Sequence, residues 1–241
     1  MIVYGVNPVA EALKAGRVTR LLVGRRDDQR LRDLLALAGS RGVPVEQVDT
    51  RQLDRRSRDG VHQGVVAEVG APRQWSVEEL VSHAAGPALL VVLDGVEDPH
   101  NVGAILRSVD AAGAHGLVRQ TRRAAALDAV AAKASAGAVS HVAIADVVNI
   151  ARAIEELKRR HVWVVGLAGE APQPYDAVDW TAPSAIVVGA EGAGLRRLVR
   201  DSCDFLVSVP MAGHVGSLNV SVAAGVVLFE AARQRRARIQ K

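Results

Sequence analysis

Short, wholly apolar runs alternate along the chain with longer stretches whose apolar positions recur every three or four residues. The runs are Ala88–Leu93, Gly116–Val118, Val162–Leu167, Ala185–Val188 and Phe205–Val209. Each has strand length without polar alternation, the pattern of strands buried on both faces. The stretches between them read as helices, so residues 88–241 are expected to form a parallel sheet in an α/β layer. Upstream, Ile2–Tyr4, Arg20–Val23, Val43–Val48 and Val61–Val69 read as strands, the last with Gln63-Gly64 inside it. Asn7-Pro8 reads as the cap and first position of a helix through Leu13, and Leu31, Leu34, Leu35 and Ala38 mark one face of another. Residues 1–70 thus describe a smaller α/β unit. Gly70 to Gln74 reads as a linker, with a short helix near Ser76–Ala84, so residues 71–87 stand apart from both units.

At 241 residues the chain is long enough for two cores. Apolar residues make up 49% but aromatics only 3%, so Ala, Val and Leu must fill those cores. No apolar run approaches the roughly 18 residues that span a bilayer, and the N-terminus has no signal-peptide pattern. The lone Cys203 excludes an internal disulfide and a cysteine zinc site, and no pair of histidines has metal-ligand spacing. A soluble, cytoplasmic protein without membrane or metal is the expectation. Net charge is +4, and only four of the thirty basic residues are lysine. Arginine forks suit phosphate, which points to an anionic partner, although a biased composition gives the same excess. Arg51, Arg55, Arg56 and Arg58 crowd into eight residues of the small unit. They are its best candidate for a phosphate-backbone contact, and a solvated helix face is the alternative.

Three segments carry candidate chemistry. Asp94 to Arg107 follows the first apolar run, and ligands of parallel sheets bind beyond the carboxyl ends of strands. There Asp98-Pro99 forces a turn, Asn101 can cap the next helix, and Arg107 either faces a pocket or pairs with Asp110. Val187 to Leu195 runs into Gly189, Gly192 and Gly194, but their spacing is not that of a dinucleotide loop. Val209 to Ala223 is a strand end cut by Pro210, a loop with Gly213, Gly216 and Ser217, and a helix start at Leu218 and Asn219. It offers free backbone N–H groups to a polar ligand.

Together these segments resemble the three motifs of the SpoU/TrmH branch of the SPOUT methyltransferases. The resemblance rests on Asp98, Pro99, Asn101, Gly103 and Arg107; on Gly189, Glu191, Gly192 and Gly194; and on Pro210, Met211, Gly213, Ser217, Leu218 and Asn219. It covers residues 88–230, and residues 1–70 are similar to the substrate-binding domain of the enzymes that methylate guanosine 2′-hydroxyls in large-subunit rRNA. The resemblance implies a trefoil-knotted domain that dimerises, with S-adenosylmethionine held by Gly189, Glu191, Gly192, Val209, Met211, Gly213, Ser217 and Leu218. It makes RNA the partner, with Arg119, Arg122 and Arg123 as a second basic patch matching the family only in character.

The resemblance also makes Arg107 the residue that acts on the ribose hydroxyl. A guanidinium is a poor base at neutral pH, so Arg107 is expected to stabilise the developing alkoxide, while an RNA phosphate or water takes the proton. Asn101, Glu191, Ser217 and Asn219 would fix the ribose and Arg107, and His100 and His214 are alternative bases. Transfer RNA is an alternative substrate. A catalytically silent RNA-binding protein and a nicotinamide-dependent oxidoreductase are the rivals from other classes; the polar set disfavours the first and the glycine spacing the second.

Overall fold

The computed structural model describes residues 1–25, 28–70, 73–122 and 124–239. Arg123 and the Ala71-Pro72 part of the expected linker lie outside the described residues. The chain divides into two compact units, one of Met1–Arg73 with Ala126–His141 and one of Gln74–Ala125 with Val142–Lys241.

In chain order the elements of the first stretch are β1 (Ile2–Tyr4), α1 (Val6–Lys14), β2 (Val18–Val23), α2 (Gln29–Ser40), β3 (Val45–Gln47), α3 (Thr50–Ser57) and β4 (Val65–Val69). Then come α4 (Val77–Ser82), β5 (Leu89–Asp94), α5 (Pro99–Ala111), β6 (Gly116–Gln120) and α6 (Ala129–Ala134). The remainder is β7 (Ile144–Val147), α7 (Ile150–Arg159), β8 (Trp163–Leu167), β9 (Gln173–Pro174), β10 (Ser184–Gly189), α8 (Arg197–Ser202), β11 (Phe205–Ser208) and α9 (Val220–Ile239).

The first unit has a four-stranded mixed sheet in the order β1-β4-β2-β3, antiparallel except for β2 with β3. Leu22, Val48, Leu53 and Val66 form one cluster of its core with Ile2 and Tyr4 packed on them, while Val9, Leu13, Leu21, Leu31 and Leu34 are also buried. The strand expected over Val61–Val69 begins only at Val65, because Gln63 and Gly64 adopt φ values of 54° and 82°. Such backbone turns the chain and cannot pair. Helix α1 is capped by Gly5, not by Asn7, which lies inside it. The segment with α6 also belongs here: Arg17 donates to the Val139 carbonyl at 3.1 Å and His141 bonds Glu11 at 2.9 Å. The linear boundary drawn at residue 88 does not capture this return of the chain to its first unit.

The second unit holds an all-parallel sheet in the order β7-β6-β5-β10-β8-β11-β9. One face is covered by α4, α7 and α8, whose Leu80, Ile154, Leu157 and Val199 pack on Leu90, Val92, Val118 and Val187. Helices α5 and α9 pack together on the opposite side, α9 against β10 and α5 against β6. Double coverage accounts for the uniformly apolar strands. Ser76 opens α4 with a reciprocal capping box to Glu79, a device worth about 1 kcal/mol. Strands β7 and β9 escape the sequence pattern. The first carries Asp146 at the sheet edge and the second is two residues long with a proline.

Candidate active site

All strands of the larger sheet point the same way, so their carboxyl ends gather on one rim. There the ends of β8, β10 and β11 and the start of α9 enclose a cavity of about 490 Å³. This is within the ordinary range for a small-molecule site. Leu167 and Ala168 wall one side, Gly189 to Leu195 another, and Ser208, Val209, Met211 and Gly216 to Val220 close it.

The glycine loop after β10 is a tight, pinned structure. Ala190 and Gly194 exchange two backbone hydrogen bonds, at 3.1 and 2.8 Å. Behind them, a Cβ on Gly189 would lie 2.1 Å from the carbonyl carbon of Gly194. Only glycine permits that approach, which leaves bare backbone facing the cavity. Asp94, fully buried at the end of β5 and paired in register with Gly189, holds the far end of the loop. Its carboxylate accepts from the Arg196 amide at 2.8 Å and from Arg196 Nε at 2.6 Å, while the same guanidinium donates to Gln120 Oε1 at 2.6 Å. A buried carboxylate is tolerable only when so paired. Arg196 was not singled out in the sequence, where it follows the glycine cluster without any motif; the signal that could have found it is an apolar strand ending in an aspartate.

Beside the cavity runs a chain of side-chain hydrogen bonds that joins all three motifs. Asn101 Nδ2 donates to Glu191 Oε2 at 3.3 Å, and Asn219 Nδ2 donates to Asn101 Oδ1 at 3.0 Å. Asn219 Oδ1 in turn accepts from the Ser221 amide at 2.9 Å and its hydroxyl at 2.6 Å, capping α9. Asn101 itself does not cap α5. Asp98 does, accepting from the His100 amide at 2.9 Å with Pro99 in the first turn, which frees Asn101 to sit 7% exposed between the other two motifs.

Of the residues expected to hold the cofactor, Gly189, Glu191, Gly192, Val209, Met211, Ser217 and Leu218 line the cavity; Gly213 does not. Arg107 is exposed on α5, outside the cavity lining. Among the described residues it forms no hydrogen bond or ion pair, so the alternative pairing with Asp110 is not made. His100 and His214 are exposed loop or helix-start residues outside the lining. Cys203 is no nucleophile: burial, with the Asp204 carboxylate beside it, pushes its thiol up to about 12. Among the described residues no three His, Cys, Asp or Glu side chains gather to hold a metal ion.

The basic patches divide. Arg51, Arg55 and Arg58 are exposed and without ion-pair partners among the described residues, whereas Arg56 pairs with Glu68 at 3.1 Å. Arg119 departs from expectation. Its side chain is mostly buried, with Nε on Asp146 at 2.7 Å and the guanidinium on the Ala125 carbonyl at 2.5 Å. It is a structural arginine tying β6 to β7 and cannot reach RNA from there. Arg122 is exposed.

Comparison with known proteins gives the same picture at the level of families. Residues 88–229 match the SpoU rRNA Methylase family, and residues 2–75 match the family described as RNA 2′-O ribose methyltransferase substrate binding. The chain is 48% identical over 239 residues to the 23S rRNA (guanosine-2′-O-)-methyltransferase RlmB of Pseudomonas putida, covering 97% of this chain and 96% of that protein. It is 47% identical to the protein of the same name from Pseudomonas aeruginosa, over 97% and 96% of the two chains. Among solved structures, the SpoU methyltransferase AviRb of Streptomyces viridochromogenes, in complex with AdoMet, superposes with a TM-score of 0.84 at 30% identity, covering 98% of this chain and 91% of that one. With the three motifs joined at one cavity and the match spanning both units, this chain belongs to the SpoU rRNA methylase family.

Proposed function

We propose that this chain uses S-adenosylmethionine to methylate the 2′-hydroxyl of a guanosine in large-subunit (23S) rRNA. The observation that carries the reading is 48% identity over nearly the full length to an enzyme of that name, together with a cavity whose glycine cradle has no room for a side chain. The residues present suit that cofactor. Backbone at Gly189, Val209 and Leu218 would meet the adenine, with Glu191, Gly192, Met211 and Ser217 completing the wall. The bound cofactor supplies a methyl group already activated on a sulfonium.

The protein's task is then to orient a hydroxyl and steady the charge that grows on it. Asn101, held between Glu191 and Asn219, fixes one edge of the ribose site, and Ser217 lines the cavity beside it. Arg107 stabilises the developing alkoxide, and an RNA phosphate or water accepts the proton. Because Arg107 lies outside the cavity of its own chain, docking must bring hydroxyl and guanidinium together.

Assembly as a homodimer supports that docking. Val222 and Phe229 lie two turns apart on the same face of α9 and are 50% and 47% exposed, an apolar stripe suited to a second copy. Ser108, next to Arg107 in α5, lies 3.5 Å from the Cβ position of Gly225 in α9, so the two helices meet one residue from Arg107. A trefoil knot is supported by family membership. The first unit binds the RNA substrate through Arg51, Arg55 and Arg58, with Arg122 as a further contact on the second unit. A cytoplasmic location fits action on rRNA. Mapping ribose methylation in 23S rRNA from a deletion strain tests the reading: one guanosine should lose its 2′-methyl group and regain it on complementation. An unchanged map would overturn the proposal.

A further inference from the structure

We infer that the cleft at the amino ends of β8 and β11 is a second RNA contact, in which an unpaired nucleobase stacks on Trp163 and Phe205. The inference rests on the proposed action on RNA, but the cleft lies at the end of the sheet opposite the cofactor cavity. Trp163 and Phe205 open their strands, and the register places Phe205 beside Val165, so both rings project from one face. Their centroids are 5.5 Å apart with planes inclined by 41°. They are 50% and 40% exposed, in a chain with only five Trp and Phe residues together. Two adjacent rings in solvent are unfavourable unless something covers them.

The cleft they border has a volume of about 280 Å³ and a fixed opposite wall, Ala177 to Asp179 and Ala182. Trp180, fully buried, anchors that wall with its indole N–H on the Tyr175 carbonyl at 2.8 Å. From α9, Gln234 donates to the Val178 carbonyl at 3.1 Å and Arg235 to the Trp180 carbonyl at 2.9 Å. The space is therefore built in advance, too small for a helix and of a size for one planar ring between aromatic and backbone walls. Gln173 lines it too, offering an amide to a base edge.

Charge selects an RNA strand as the occupant. Arg238 donates to Thr181 Oγ1 at 3.0 Å, and that hydroxyl bonds Asp179 Oδ1 at 2.6 Å, so the one carboxylate in the wall is engaged and has a guanidinium close by. Arg236 is exposed on the same helix end. A ring platform with arginines alongside is the arrangement that holds single-stranded RNA without reading its sequence.

The test uses the full chain, a twelve-residue oligoadenylate, an abasic RNA backbone of the same length, and AMP, read by fluorescence anisotropy and tryptophan emission. Oligoadenylate should quench the wild-type tryptophan emission. Trp163→Ala should weaken its binding about tenfold, and Trp163→Phe should hold it to within about threefold of wild type. The abasic backbone should bind wild type no better than oligoadenylate binds the alanine variant. S-adenosylmethionine affinity by calorimetry should be equal in all three proteins. No quenching, or equal oligoadenylate affinity in wild type and Trp163→Ala, overturns the inference and leaves the methyltransferase reading intact. AMP binding as tightly as the oligonucleotide would give the cleft to free nucleotides and overturn it too. A wild-type protein that binds no S-adenosylmethionine would instead overturn the reading beneath it.

Discussion

Replacing Gly189 by alanine is the smallest change that should destroy the cofactor site. The added methyl would sit 2.1 Å from the Gly194 carbonyl carbon, 2.2 Å from its oxygen and 2.4 Å from the Leu195 nitrogen. All three are backbone, so no side chain can swing away. Ordinary contact begins at 3.4 Å, so the 190–195 loop must retreat by more than one ångström. Its other end cannot follow freely, because the Arg196 amide and guanidinium are held by buried Asp94. Overpacking of this kind costs about 1–3 kcal/mol of stability, which a domain of this size survives. A displacement of about 1 Å pulls backbone donors and acceptors out of hydrogen-bond range, and about 2.7 kcal/mol so lost is on the order of a hundredfold in affinity. Calorimetry should therefore show S-adenosylmethionine binding weakened at least about a hundredfold, with a single cooperative melt retained. Gly189→Val, with a larger side chain at the same point, should abolish binding. Gly213→Ala is the control: nothing lies within 4 Å of its Cβ position, and affinity should be unchanged. Equal affinity in Gly189→Ala and wild type would refute the cradle and move the cofactor elsewhere.

Arg107→Lys keeps charge but not the fork; it should melt within about 1 kcal/mol of wild type, bind S-adenosylmethionine normally, and transfer methyl at least about a hundredfold more slowly in single turnover. A rate within about threefold of wild type would remove Arg107 from the chemistry. Replacing Arg51, Arg55 and Arg58 by glutamine should weaken RNA binding and flatten its dependence on salt, without moving cofactor affinity; an unchanged salt slope would make these arginines a solvated face. Burial, with the Arg235 guanidinium second, holds the His115 imidazole below its ordinary value, and its Nδ1 accepts from the Leu89 amide at 3.0 Å. The native state therefore favours the neutral ring, and its contribution is present above about pH 6.5 and lost as pH falls below it. Thermal melts of His115→Asn should lose less stability than wild type between about pH 7 and 5; parallel curves would contradict this.

The larger sheet is legible in the sequence because its central strands β5 and β10 are buried along their whole length and are made mostly of Val, Leu, Ile and Ala. What escapes is whatever depends on contacts between distant segments. Asn101 reads as a cap because it stands near a helix start, yet Asp98 and Pro99 already provide that start, and Asn101 instead bridges residues 90 and 118 positions away. Arg119 looks like part of a basic surface run until β7 brings Asp146 beside it. The 126–141 segment has a helix but no pattern to tell which core it joins; Arg17 and Glu11 decide that from the far end of the chain. The cavity itself comes from three strand ends that only the sheet order makes neighbours, though the glycines that wall it are visible as a cluster. Trp163 and Phe205 each read as an ordinary strand residue, and only the register of β8 and β11 shows them as a pair.

The most direct test of the account is where a transferred methyl group ends up. Unmodified 23S rRNA fragments incubated with the protein and methyl-tritiated S-adenosylmethionine, then hydrolysed in alkali, should yield the label in an alkali-resistant dinucleotide carrying 2′-O-methylguanosine, because alkaline cleavage needs a free 2′-hydroxyl. Label released in mononucleotides would mean that the methyl group is on a base, and no label in RNA would mean that the chain is not an RNA methyltransferase; either result would contradict the account.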